Sequence, residues 1–160
     1  MANYGTTRNI EASLIDYIKI KLEEYEWRNV SVVKSFKQAS ESDLPVICVM
    51  VTDSFHKKTG LGERATRRDV IVHVDVFAKS DGQRLDLKDF LIKILKISVP
   101  YNEYTIERGR VASKTYICEM YTKRIDDVKV NLGVDLSVLD VKDRYRHYIG
   151  LTLSLPKVEV

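Results

Sequence analysis

Cysteine is scarce in this chain of 160 residues: Cys48 and Cys118 are the only two, both inside apolar stretches. A scaffold built on disulfides carries more thiols, in a shorter chain, set in loops; these two therefore read as small buried hydrophobes with free thiols. There is no Cys-x-x-Cys pair, no HExxH stretch and no EF-hand loop, so no metal-ligand spacing presents itself. Proline occurs 3 times and glycine 7 times, too seldom for a collagen-like, low-complexity or loop-built chain. No apolar run approaches the roughly 18 residues of a membrane helix. The opening stretch Met1–Arg8 is polar and lacks the core of a signal peptide. The expectation is a protein that works, or is at least assembled, in an aqueous, reducing compartment. Charge of one sign is not in excess either: 26 Lys and Arg stand against 23 Asp and Glu, a net +3. That balance excludes a strongly cationic nucleic-acid or membrane binder.

What is present is ample core material. Hydrophobic residues make up 44% and charged residues 31% of the sequence, and this length suits one domain burying about 70% of its unfolded surface. Ile10, Leu14, Ile18, Leu22 and Tyr25 recur at helical spacing, with Lys19, Lys21, Glu23 and Glu24 on the wet side. Thr7 or Asn9 is the expected cap of that helix. Val30–Phe36 is β-branched and predicts a strand. Val46–Val51 is apolar on both faces and predicts a central strand covered on both sides. In Val70–Phe77 the valines 70, 72, 74 and 76 alternate with Ile71, His73, Asp75 and Phe77, the pattern of a strand with one dry face. Ser80 caps a second helix carrying Leu87, Leu91, Ile94 and Leu95, which must stop before Pro100.

The last third predicts strands at Tyr104–Arg108, Lys114–Lys123 and Arg144–Leu155. Between the last two lies Asp126–Asp143, where Val128, Val130, Leu132, Val134 and Leu136 flank Asn131-Leu132-Gly133. This segment reads as a β-hairpin, with a short helix from Leu136 as the alternative. With helices interrupting the strands only twice, the pattern fits an α+β domain: a mixed, largely antiparallel sheet with two helices packed on it.

The search for chemistry yields little. Neither cysteine lies in surroundings that would lower a thiol pKa, and no GxSxG elbow exists. His73 and Asp75 share a strand face and could orient an imidazole, but any strand with two polar residues on its wetter face produces that pair. His147, on the inward side of the last strand, reads as a satisfied core or interface histidine. The acidic neighbours Asp126 and Asp127 point to opposite faces if they lie on a strand. Gly60-Leu61-Gly62 lacks both the further glycine of a dinucleotide loop and the Lys-Ser/Thr of a P-loop. The most distinctive local feature is the segment Ser54–Arg68, with Lys57, Lys58, Arg64, Arg67 and Arg68 against Glu63 alone. It reads either as a contact for phosphates or an acidic surface, or as a charged, soluble loop. Apart from Phe55 it has no stacking residue for single strands.

Taken in order, several pieces resemble a known family. They are the helix Ile10–Ile18, Leu44-Pro45-Val46-Ile47, the loop with Gly60-Leu61-Gly62-Glu63, the strand Val70–Ala78, Ser80-Asp81 before a helix, and the closing run Arg144–Pro156. Together they resemble the tail terminator and neck proteins of tailed bacteriophages, small α+β subunits that assemble into a ring at the head–tail junction. The resemblance implies a structural virion protein without enzymatic activity or cofactor. It implies assembly in the host cytoplasm into a ring, most simply a hexamer, that caps the tail tube and joins tail to head. The implied partners are further copies of the chain, the tail tube protein and head-connector or other neck proteins, with DNA passing through the lumen and no membrane. A head-completion or adaptor protein of the same neck is the neighbouring reading, and a nucleic-acid-binding module using residues 54–68 is one of another class. In the ring reading the basic segment meets the tube or lines the channel, and the 126–143 hairpin either extends a neighbour's sheet or packs, as an ordinary hairpin, on its own.

Overall fold

A computed structural model describes residues 2–160. The elements in chain order are β1 (Ala2–Asn3), α1 (Thr6–Glu24), β2 (Ser31–Val33), α2 (Phe36–Glu41), β3 (Val46–Lys58), β4 (Thr66–Ala78), α3 (Asp81–Leu95), β5 (Ser98–Glu107), β6 (Arg110–Lys129) and β7 (Tyr145–Glu159). All seven strands form one sheet in the order β1-β5-β6-β7-β4-β3-β2. Every neighbouring pair is antiparallel except β2 with β3. The α+β class and the mixed, mainly antiparallel sheet are as the sequence predicts.

The alternation in β4 places the core. Val70, Val72, Val74 and Val76 are fully buried; on β7 Leu153, Leu151 and Ile149 lie opposite the first three, and Leu155 continues the same dry face. The stripe Ile10, Leu14, Ile18 and Leu22 of α1 and Leu87, Leu91, Ile94 and Leu95 of α3 close over it. At about 25 cal/mol per Å² of apolar surface removed from water, this helix-backed face is the main source of stability. Neither Thr7 nor Asn9 caps α1, which begins at Thr6 behind Gly5. Asn9 is instead buried, its Nδ2 donating to the Tyr4 carbonyl at 3.2 Å and its Oδ1 accepting from the Tyr104 amide at 3.1 Å. Ser13 Oγ accepts from the Asn102 amide at 2.9 Å. Short polar side chains on α1 thus satisfy backbone groups of β5 that a regular ladder leaves unpaired.

The opposite face is covered at one end by the short helix α2, which the sequence pattern does not predict. Ala39 of α2 packs with Val46, Cys48 and Phe77, while Ile47 and Val49 face α1. Val46–Val49 is therefore covered on both sides as its composition predicts, although β3 lies beside the edge strand β2 and is not central. The predicted strand Val30–Phe36 ends at Val33, because Ser35 caps α2 by accepting from the Gln38 amide and Gln38 Oε1 accepts from the Lys34 amide. The same Ser-x-x-Gln reciprocity opens α3 at Ser80 and Gln83; it is a form of the capping box.

Two predictions are corrected. Ser54–Arg68 is not a loop: β3 runs on to Lys58 and β4 starts at Thr66, paired through Ser54↔Val70 and Lys58↔Thr66, leaving only residues 59–65 as the turn. A bulge between Val51 and Asp53 interrupts the register. Asp126–Asp143 is not a hairpin of its own: its first residues end β6 and pair with β7 through Asp127↔Ile149 and Lys129↔His147. After the turn at Asn131 (φ 62°) and Gly133 (φ 77°) the chain does not resume a strand. It makes 3-10 turns at Leu136–Val138 and Val141–Asp143, so the alternative of a short helix from Leu136 is the closer one. Asp135 and Asp140 cap these turns by accepting from the amides of Ser137 and Lys142.

The sheet has two distinct ends. The 59–65 turn lies at one, beside the close of β7, and the 130–144 loop lies at the other, where β4 ends opposite Tyr145. Thirteen residues of β4 at about 3.3 Å each separate the two by about 40 Å. The first half of β6 pairs with β5 alone and joins β7 only from Tyr121 onward, so the sheet divides toward the 59–65 end.

Candidate interaction surfaces

The five cations of the basic segment do not form one patch. Arg68 is turned inward and grips Glu159 through two bonds, Nε to Oε2 at 2.7 Å and Nη2 to Oε1 at 2.6 Å, while Nη1 donates to Thr7 Oγ1 at 2.9 Å. Burial raises the Glu159 carboxyl, but these bonds outweigh it and hold the group below its ordinary pKa. Lys57 bonds to Asp69 Oδ2 at 3.0 Å, and Lys123 from β6 reaches the same oxygen at 2.8 Å. Asp69 is likewise pushed up by burial and pulled further down by the two lysines. Lys58, Arg64 and Arg67 are exposed and have no ion-pair partner among the described residues. Two of the five predicted site residues are thus structural and three are free.

The 130–144 loop exposes aliphatic side chains. None of its residues is buried; Leu132 is 78% and Val138 75% exposed, and Val134 and Val141 are also exposed. Of the predicted interface residues, Leu132 and Val134 project from this loop and Leu136 is half-buried. Val128 is exposed on β6, and Val130 is half-buried, its amide donating to the Arg146 carbonyl at 3.1 Å. Lys142 anchors the loop to the fold: its ammonium bonds to the carbonyls of Ala39 and Ser42 at the C-terminal end of α2. A cleft of about 300 Å³ between loop and helix is lined by Phe36, Phe77, Lys142 and Asp143. Arg146 also lines it, its guanidinium 5.1 Å from the Phe36 ring and 5.0 Å from that of Phe77 and bonded to buried Asp75 at 2.9 Å. That arrangement ties α2 to the sheet, and sequence spacing gives no sign of it.

The titratable groups raised by the sequence are mostly engaged elsewhere. Asp75 belongs to Arg146, and His73 stands edge-on to Tyr148 with ring centres 5.0 Å apart, so the His73–Asp75 pair does not form a relay. His147 is 4% exposed and held from both sides, by Arg84 of α3 and Asp127 of β6. Burial lowers its pKa against the opposing pull of Asp127. Burial raises the Cys48 thiol to about 11 and raises Cys118 as well; neither is disulfide-bonded. No group of three or more His, Cys, Asp or Glu side chains among the described residues is arranged to hold a metal ion. No helix among the described residues is long and apolar enough to cross a membrane.

Comparison with protein families finds no matching family model, and comparison with curated proteins finds no match.

Proposed function

We propose that this chain is a structural virion protein of a tailed bacteriophage, a tail terminator whose copies form a ring, most simply a hexamer, that caps the tail tube and joins tail to head. The order of sequence elements from Ile10 to Pro156 suggests the family. The structural observation that carries the reading is the open edge of β3. β2 covers β3 only from Val46 to Cys48, and from Thr52 to Lys58 every residue is exposed. Such an edge offers unpaired backbone donors and acceptors to another strand. Its bulge and its charged end discourage indiscriminate pairing while leaving a partner of matching shape and charge able to dock.

A subunit of this kind works by shape. The helix-backed core keeps each copy rigid, and the protruding turn and loop at the two sheet ends supply the contacts with neighbours, with the tail tube protein and with head-connector proteins. DNA passes through the lumen of such a ring without sequence-specific contacts. The nucleic-acid-module reading loses support from the structure of the basic segment, because Lys57 and Arg68 are committed to Asp69 and Glu159.

Purified protein imaged by negative stain, with its mass measured by light scattering, should show closed rings. Added to assembled tail tubes, it should appear at one tube end and stop further growth. A chain that stays monomeric and leaves tubes uncapped would refute the proposal. Rings located in the virion at another level of the neck would instead assign a head-completion or adaptor role.

A further inference from the structure

We infer that copies of this chain bind one another head to tail, the 59–65 turn of one copy and the strand ends that flank it seating on residues 132–141 of the next copy's loop. The inference rests on the ring reading and specifies its contact. The two features lie at opposite ends of β4, so they cannot meet within one molecule. They are complementary in charge. Between Lys58 and Arg67 stand Lys58, Arg64 and Arg67 against Glu63, a net +2, whereas between Leu132 and Val141 the only charged residues are Asp135 and Asp140, a net −2. All four acidic and basic residues that would meet across the contact, Arg64, Arg67, Asp135 and Asp140, are exposed.

They are also alike in carrying unburied aliphatic surface. Leu61 is fully exposed at the apex of the turn, and Leu132, Val138 and Val141 are exposed on the loop. A polyanion would call for the cations but not for the leucine between them. A surface that is both acidic and aliphatic answers both, and this chain carries one at its other end. The loop is held in place for the role: Lys142 fixes it to α2, and Asp135 and Asp140 are oriented by the turns they cap, leaving their charge at the surface. A contact between different patches of identical subunits is heterologous, the type that closes into a ring when the rotation allows.

Reciprocal charge exchange tests this contact. One variant, R64E/R67E, makes the turn acidic; the other, D135N/V138K/D140N, makes the loop basic while asparagine keeps both turn caps. Circular dichroism and a melting curve confirm that each is folded. By sedimentation velocity over a range of protein concentration, wild-type chain should self-associate, less so as salt rises. Each variant alone should require at least tenfold more protein to associate. An equimolar mixture should recover association, because each variant's altered end then faces its complement. If either variant assembles as the wild type does, or if the mixture stays dispersed, this contact is wrong and the ring reading survives without it. If the wild type is monomeric at every concentration, this contact is wrong; if it also leaves tail tubes uncapped, the ring reading fails with it.

Discussion

Arg84 on α3 donates from Nη1 to Nδ1 of His147 on β7 across 2.6 Å, and this fixes the imidazole's tautomer. A guanidinium only donates, so Nδ1 must accept and the proton must sit on Nε2. Nε2–H then donates to Asp127 Oδ1 at 2.7 Å. Both Arg84 and His147 are about 5% exposed or less. Protonating His147 would set an N–H against the guanidinium with no acceptor between them.

Stability should therefore fall on acidification. The folded-state pKa of His147 lies below the ordinary value, so the unfolded chain takes up the proton first; this contribution is complete above about pH 6.5 and is lost as pH drops below it. Asp127, drawn down by His147 and Lys88 against the effect of burial, loses its contribution further down, below the ordinary carboxylate range. Melting temperatures measured from pH 8 to pH 5 should decline, and His147→Gln should flatten the upper part of that decline. An unchanged profile in the variant would count against the assignment.

The basic segment should divide into two kinds of residue. Arg68→Ala strands Glu159 in a mostly buried site and should cost about 2 kcal/mol in urea unfolding. Lys58→Ala and Arg64→Ala should stay within about 0.5 kcal/mol of wild type. Equal losses at all three would mean that the turn is held otherwise than by Arg68.

Truncation should separate core from loop in the same way. Leu153 is fully buried between the sheet and its helices, and Leu153→Ala should destabilise by about 2–5 kcal/mol. Val138→Ala should leave unfolding within about 0.5 kcal/mol, since its side chain has little to lose.

Thiol labelling reports on the second face. Cys48 is fully buried under α2 with its pKa pushed to about 11, so native protein at pH 8 should leave Cys48 unmodified by a maleimide while urea exposes it. Rapid native labelling, mapped to Cys48 by mass spectrometry, would show that α2 lifts from the sheet.

Sequence pattern reaches the parts of the fold where burial is one-sided. The valines of β4 and the stripe of α1 alternate with polar residues because one face meets the core, and that periodicity is visible without coordinates. It fails where neither face carries an apolar stripe: Ser54–Lys58 is exposed throughout and Thr66–Asp69 turns charged or polar groups inward, so both pair as strands without a hydrophobic side to mark them, and the bulge at Thr52 shifts what phase remains. The short helix α2 is legible in principle, since Ser35 and Gln38 repeat the spacing of Ser80 and Gln83, but six residues carry no helical stripe. At 130–144 the turn signals Asn131 and Gly133 are real, and alternating valines imitate a strand. Those side chains project from a loop, and nothing in their order reveals that no strand lies opposite. The ion pairs that sort the basic segment, Arg68 with Glu159 and Lys57 with Asp69, depend on strand pairing that no local window contains.

β7 follows every other strand in sequence yet occupies the middle of the sheet, between β6 and β4. Until it has been synthesised, the strands form two separate sets, β1-β5-β6 on one side and β4-β3-β2 on the other, bridged only by helix packing. Joining them requires contacts between distant parts of the sequence, which form slowly. A half-finished polypeptide accordingly lacks the strand that closes its sheet, and its interior is sealed only once translation has passed that strand.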